Sequence, residues 1–430
     1  MTVPSAHGES RPLRVAYVTM QFPVPSETFA GTDVRVLREA GVEVEVFSMR
    51  PAHRHHERLR RERRIEDVPT WSLTAGSFLA ALALLVTRPR WWLSLLSWVV
   101  RWQVREPQAL IRCLALMPSA LAIFARLRRR SFDVVHCFWG HYPALVGFLV
   151  QRFEPQLVSS VFLGAYDLDE DRYSAAVPGS APVARAADMV CTHSRSNLAL
   201  LRRLGIAEDK VRLVYRGVDL RAFPFVPVDD PEREDGLVVA VGSLIERKAM
   251  DDVLRAIARV RRTVPQVRLR VLGEGPERLT LEALARSLGL EDAVEFAGHV
   301  PSESIAGELR RATALTLLSK SDRIPNVVKE AMASGCPCVV SHTMGMDEIV
   351  VPGRTGYLVG IGDLDAAAEH LGAVLRSPRA HAAMVSEARA LIVERFSAEA
   401  SMAEYRRYWA EALEHREAGR AMKPAMNRAA

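Results

Sequence analysis

Two series of short apolar segments, each broken up by stretches of helical periodicity, constrain this chain more than any other feature. The first comprises RVAYVT (14–19), VEVEVFSM (42–49), DVVHCFW (133–139), LVSSVFL (157–163), MVCTHS (189–194) and VRLVYRG (211–217). The second comprises LVVAVGSL (237–244), VRLRVLGEG (267–275), AVEFAGHV (293–300), ALTLLS (314–319) and CPCVVS (336–341). Runs of this length, rich in Val and Leu, read as strands buried on both faces. Helical stretches such as SNLALLRRLG (196–205) and DDVLRAIARVRRTV (251–264) separate them. Alternating strands and helices close only as parallel sheets with crossover helices, so an α/β fold of two doubly wound, Rossmann-like domains is expected. At 430 residues the chain is long enough for two full cores. FPFVPVDDPEREDG (223–236) mixes Pro, acid and Gly between the two series and reads as the linker. The expected domains are therefore 11–222 and 223–400, facing a central cleft, with a terminal helix over 401–420 returning to the first.

The charge is informative in kind more than in amount. The net charge is +6, and the 57 basic residues divide into 52 Arg and 5 Lys. Where Arg is the default cation, Arg clusters say little and each Lys says more. No nucleic-acid partner is expected. The five cysteines (113, 137, 191, 336, 338) are scattered and odd in number, and Cys336-Pro-Cys338 lacks zinc-site spacing. A reduced, cytoplasmic protein without a metal or cofactor is the expectation, and the opening residues show no apolar signal core.

One segment breaks the alternation. WSLTAGSFLAALALLV (71–86) and WWLSLLSWVVRW (91–102) are apolar, flanked by TRPR and preceded by the basic run RPAHRHHERLRRERR (50–64). Neither stretch reaches the roughly 20 residues that span a bilayer. Trp and Arg at the edges of apolar helices mark a segment lying in a membrane interface. On this reading 71–130 is a helical segment, and 50–102 contacts an anionic membrane surface with Trp91, Trp92, Trp98 and Trp102 inserted. A helical cap with those tryptophans in its core is the competing reading.

SDRIPNVVKEAMASG (321–335) places carboxylates at Asp322 and Glu330 across a strand–loop–helix joint. Asn326 suits the N-cap and Gly335 the stop of that helix. Such a loop lies at the carboxyl edge of a parallel sheet, where α/β proteins bind phosphate-bearing ligands. Acceptor-only carboxylates there suit the vicinal hydroxyls of a sugar. By the same logic, QFPVPSETF leads from the first strand into a helix near Ser26, a candidate cap.

These residues, with FPVPSETF, ADMVCTHSRSNLALLRRLGI, KVRLVYRGVDLRAFP, VGSLIERKAMDDVLRA, LGEGPERLTLEALARSLGL, PNVVKEAMASGCPCVVS, GMDEIVVPGRTGYLV and VERFS, resemble the family 4 glycosyltransferases over nearly the whole chain. That family comprises retaining enzymes of the GT-B fold, and the likeness is greatest to the branch that builds exopolysaccharides such as colanic acid. The resemblance implies transfer of a sugar from a nucleotide-diphosphate sugar to a lipid-linked or glycan acceptor, without a metal. It implies that Glu330 holds the ribose, and that Asp322, one methylene shorter than the family's Glu and followed by Arg323 instead of Gly, faces the sugar. It implies that Lys248 clamps the diphosphate, with Ser243 in place of the usual Arg and Arg247 able to supply the missing charge. Gly345, Met346, Asp347 and Glu348 match the loop that faces phosphate and sugar, and the backbone after Pro325 and at Asn326 completes the donor side. Lys248, Asp322 and Glu330 are the expected catalytic set. On the acceptor side stand Ser26, Glu27, Thr28 and Asp167. Gly164 occupies the position of the family's His, which leaves His136 and His141 as candidate replacements. A sugar-nucleotide epimerase of the same fold and a non-catalytic nucleotide-sugar-binding protein at the membrane are the rival readings. A dinucleotide site is disfavoured, because VLGEGPE lacks the third Gly and an acidic partner.

Overall fold

In the computed structural model, which describes residues 2–4, 10–24, 27–168 and 179–429, every strand pairing within the two large sheets is parallel. The chain divides into a unit of Met1–Tyr215 with Ser401–Ala430 and a second of Arg216–Ala400.

The first unit carries β1 (Arg14–Thr19), α1 (Thr28–Glu39), β2 (Glu43–Ser48) and β3 (Thr70–Ser72). Three apolar helices follow: α2 (Ala75–Thr87), α3 (Pro89–Gln103) and α4 (Pro107–Leu127). Then come β4 (Val134–Cys137), β5 (Val158–Phe162), β6 (Met189–Thr192) and β7 (Val211–Leu213). The sheet order is β3-β2-β1-β4-β5-β6-β7, so the order reverses between β1 and β4. α2 opens with a reciprocal cap, in which the Ser77 amide donates to Thr74 Oγ1 at 3.2 Å and the Thr74 amide to Ser77 Oγ at 2.9 Å.

The four tryptophans belong to this unit's packing, which corrects the expectation that they insert into lipid. Trp91 and Trp98 are buried, with Trp91 edge-on to Phe124 at 4.9 Å and Trp98 stacked on Phe148 at 5.0 Å. Trp92 and Trp102 pack against the same core, and the Trp92 Nε1–H donates to the Ala81 carbonyl at 3.1 Å. An indole next to a gap between helices gains more by filling it than by facing solvent. α4 is 21 residues long and apolar enough to cross a membrane, but half of its apolar stretch is buried inside the unit. Part of the basic run is also engaged: Arg63 donates to the Val24 and Glu27 carbonyls, Arg60 to those of Glu66 and Val68, and Arg58 pairs with Glu62.

The second unit carries β8 (Leu237–Val241), α5 (Met250–Arg261), β9 (Arg268–Leu272), β10 (Val294–Gly298), β11 (Ala314–Leu317), α6 (Asn326–Ala333), β12 (Cys338–Ser341) and β13 (Tyr357–Val359). The order β10-β9-β8-β11-β12-β13 reverses between β8 and β11. The Pro-rich stretch read as a linker packs on this unit, because the Arg233 guanidinium donates to the carbonyls of Val226, Pro227, Ala312 and Gly335. One planar cation thereby satisfies carbonyls at the ends of two helices. The division accordingly falls at Tyr215/Arg216, ahead of the Pro-rich run.

The last helix, α7 (Ala398–Ala429), belongs from Ser401 onward to the first unit. Its buried Trp409 donates to Ser160 Oγ at 3.2 Å, and Arg416 forks onto Asp188 at 2.8 and 2.6 Å.

Candidate functional site

In the second unit the two strands at the reversal point, β8 and β11, send their loops side by side, and those loops are stitched together. The Lys320 amide donates to the Arg247 carbonyl at 2.9 Å, and Arg247 Nη1 to the Ser321 carbonyl at 3.4 Å. At the centre Lys248 Nζ forms an ion pair with Asp322 Oδ2, both side chains being largely buried. Open α/β sheets take their ligands at this place. Ser243 is exposed on the same loop. Lys248 sits one residue before Ala249, whose φ of 47° is left-handed, and α5 starts immediately after.

A second constrained residue lies in the partner loop. Ile324 has φ 44°, rare for a β-branched side chain, and is buried. It shapes the entry to α6 differently from expectation: Pro325 takes the cap position and Asn326 becomes the first helical residue, with no side-chain cap. Pro at the cap follows from the turn that Ile324 makes, which leaves Pro325 extended at ψ 138°. Gly335 does stop the helix, at φ 72°.

Glu330 lies on the second turn of α6, largely enclosed, and its carboxyl has no hydrogen-bond or ion-pair partner among the described residues. Burial pushes that carboxyl up to about 7, opposed by the adjacent Lys329 ammonium. Lys329 is fully buried, and its Nζ donates to the Arg216 carbonyl at 2.5 Å. Sequence reasoning did not single it out, although one Lys among five was a usable signal. After β12, Gly345 turns at φ 81°. Met346 is buried, its amide bonds the Thr343 carbonyl, and the Glu348 amide bonds the Gly345 carbonyl. That loop therefore presents the side chains of Asp347 and Glu348, not these two amides.

The Gly-x-Gly after β9 has a packing role. A Cβ on Gly273 would lie 1.9 Å from the Gly242 oxygen, and one on Gly275 2.3 Å from the Leu244 oxygen. Only glycine lets this loop back onto the Lys248 loop.

The first unit gathers a separate cluster at its own reversal point. Glu27 precedes α1, which starts at Thr28, and its carboxylate accepts from Trp139 Nε1 at 3.2 Å. Ser26 lies outside the described residues. Trp139, after β4, has φ 72°. Its neighbour His141 meets Asp167 with Nδ1 3.3 Å from Oδ1, and Asp167 Oδ2 accepts the Gly164 amide at 2.9 Å. His136 does not join them. It is buried on β4 among Tyr17, Phe138, Tyr405 and Trp409, with Nδ1 2.8 Å from Ser160 Oγ, and burial pushes its ring down to about 3. A ring that stays neutral in an aromatic core is structural, which corrects its candidacy.

Four non-glycine residues have positive φ among the described ones, and Trp139, Ala249 and Ile324 all lie in loops following the reversal-point strands. Backbone strain of this kind concentrates where a site must be held in shape. Among the described residues no three His, Cys, Asp or Glu side chains group so as to hold a metal ion.

Comparison with known proteins agrees with this reading of the fold. Residues 27–222 match the Glycosyltransferase Family 4 model and residues 228–391 the model of glycosyl transferases group 1. A D-inositol 3-phosphate glycosyltransferase of Kribbella flavida is 30% identical over 298 residues, 61% of this chain and 69% of that protein. Escherichia coli WcaL, which carries the name of a colanic acid biosynthesis glycosyltransferase, is 25% identical over 379 residues, 84% of this chain and 90% of that one. Among solved structures, that of Anabaena HepE in complex with UDP and glucose superposes with a TM-score of 0.69 at 16% identity, covering 93% of this chain and 100% of that one. The chain thus belongs to the glycosyltransferases of the GT-B fold, with a family 4 domain followed by a group 1 domain.

Proposed function

We propose that the protein transfers a sugar, with retention of anomeric configuration, from a nucleoside diphosphate sugar to a hydroxyl of a lipid-linked or glycan acceptor. The observation that carries this is the meeting of Lys248 and Arg247 with the Asp322 loop at the β8/β11 reversal point, on the same loop–helix joint as the unpartnered carboxyl of Glu330. A retaining transfer depends on stabilising the leaving diphosphate, whose charge grows as the glycosidic bond breaks. The Lys248 ammonium is held in place by Asp322 until a diphosphate takes over as its anionic partner. Arg247 adds a second cation, and the first amides of α6 face the same polar remainder. No metal is needed in this scheme. Glu330 accepts hydrogen bonds from the ribose hydroxyls, and Asp322, relieved of Lys248, those of the sugar. Asp347 and Glu348, in the loop that Gly345 turns, serve the donor side as well. In the first unit, Glu27, His141 and Asp167 serve the acceptor side.

The test is a panel of nucleoside diphosphates screened by thermal stabilisation, since a ligand of the native state raises its apparent stability. Incubation of the best-bound donor with lipid-linked and free glycan acceptors follows, and the anomeric configuration of the product is read by NMR. A glycoside of retained configuration supports the proposal. An epimerised sugar nucleotide, or binding with no turnover on any acceptor, overturns it.

A further inference from the structure

With the tryptophans packed inward, the apolar character of α2, α3 and the start of α4 is still not used up. On α2, Phe78, Leu79, Leu82, Leu85 and Val86 are exposed, at spacings that place them on one face. On α3, Leu93, Leu96 and Val100 form a second stripe at i, i+3 and i+7, with Val104 just beyond, and Ile111 and Leu114 continue on α4. These are not grazing exposures: Val86 is 85% exposed, Ile111 66%, and Leu79 and Leu93 64% each. Soluble monomers rarely leave so many large apolar side chains together in water. α2 and α3 meet at 101°, so the apolar residues are spread over two crossed helices and not along one spanning rod.

The charge around this face identifies its occupant. From Val68 to Phe132 the sequence contains nine Arg and a single acid, Glu106. Arg126 and Arg130 pair with Glu45 and Arg128 with Glu154. Arg88, Arg90, Arg101, Arg105 and Arg112 are exposed and have no carboxylate partner among the described residues. Unpaired cations beside an apolar stripe complement a surface that is apolar in depth and anionic at its edge.

We propose that α2, α3 and the first turns of α4 dock the protein on an anionic lipid bilayer, through the Leu and Val stripes and the five arginines. The tryptophans serve as the rigid filling that holds the three helices at their crossing angles. A second copy of this chain would bring like charges together at the same face and is disfavoured for that reason. The inference does not depend on which acceptor the enzyme uses, because its readout is lipid binding and not turnover.

The full chain is co-sedimented with vesicles of phosphatidylcholine alone and with vesicles in which a third of the lipid is phosphatidylglycerol, at low and high salt. Binding to the anionic vesicles is expected to exceed binding to neutral ones at least tenfold and to fall in high salt. Leu79→Glu with Val86→Glu and Leu93→Glu should reduce partitioning at least tenfold, with the thermal melt confirming an intact fold. Arg90→Gln and Arg105→Gln, which remove exposed cations that touch no carboxylate or ring among the described residues, should each cost about fivefold. Wild type remaining in the supernatant in all four conditions overturns the proposal. So does unchanged binding by the triple variant, or a wild-type dimer that the triple variant converts to monomer without either form binding vesicles.

Discussion

The indole of Trp139 fills the volume that a side chain at position 164 would need: a Cβ on Gly164 would lie 2.4 Å from its Cζ3. The absence of the family's His at Gly164 is therefore coupled to the presence of Trp139, 25 positions earlier in the chain. The left-handed backbone at Trp139 and its bond to Glu27 fix the ring there.

Gly164→Ala is accordingly expected to destabilise the protein by about 1–3 kcal/mol, the usual cost of overpacking. In a Trp139→Ala background the same change should cost much less, since the obstructing ring is gone. Urea unfolding of the two single variants and the double variant measures the coupling, and additive effects would contradict the contact.

Lys248→Ala should lower kcat about 10²–10³-fold, the scale seen when one stabilising donor is removed from a developing charge. The loss in donor affinity should be smaller, because the diphosphate gains charge in the transition state. Steady-state kinetics with calorimetric donor binding decides the point. Unchanged kcat with weakened binding would mark Lys248 as a ground-state anchor.

Glu330→Ala should weaken binding of the donor nucleotide by about 1.5–3 kcal/mol, as for the loss of a charge-assisted hydrogen bond, with the melting temperature little changed. Isothermal titration with the nucleoside diphosphate is the measurement, and an unaltered Kd would remove Glu330 from the ribose.

The same carboxyl predicts a pH dependence. It titrates near 7 in the folded protein and near 4.3 when unfolded, so between those values the native state binds the extra proton. Stability attributable to Glu330 therefore falls as pH rises from about 4 through 7 and is level above. The total is on the order of 1–3 kcal/mol after allowance for the group's partial exposure. Glu330→Gln should abolish this slope, and the difference between wild-type and variant unfolding free energies from pH 4 to 8 isolates it.

The strands were legible because parallel strands buried on both faces are runs of apolar or small residues: β8 is LVVAV, and β11 and β12, ALTL and CVVS, are fully buried. Lys248 and Asp322 could be placed because their loops follow directly from β8 and β11, and Glu330 because α6 follows the second of those loops. What escaped the sequence depended on contacts that local pattern does not encode. Asn326 has the composition of a cap, but the left-handed turn at Ile324 moves that position to Pro325. His136 and His141 are five residues apart on one strand end, and only the ring neighbours of α7 decide that the first is core. The tryptophans of α3 fit an interface or an interior equally by composition. The structure turns them inward and leaves leucine and valine on the outside.

The position of α7 bears on how the molecule is made. Trp409 and Arg416 complete hydrogen bonds to Ser160 and Asp188 within the unit whose other strands end by Leu213. At ordinary translation rates the 185 residues of the second unit take on the order of 10–40 s to synthesise. During that interval the nascent first unit has its sheet but not its closing helix, and the rings of Tyr17 and His136 lie open beside it. The part synthesised first is thus the part finished last. Ribosome-bound chains halted before residue 400 should be far more sensitive to protease in the first unit than chains released after 420.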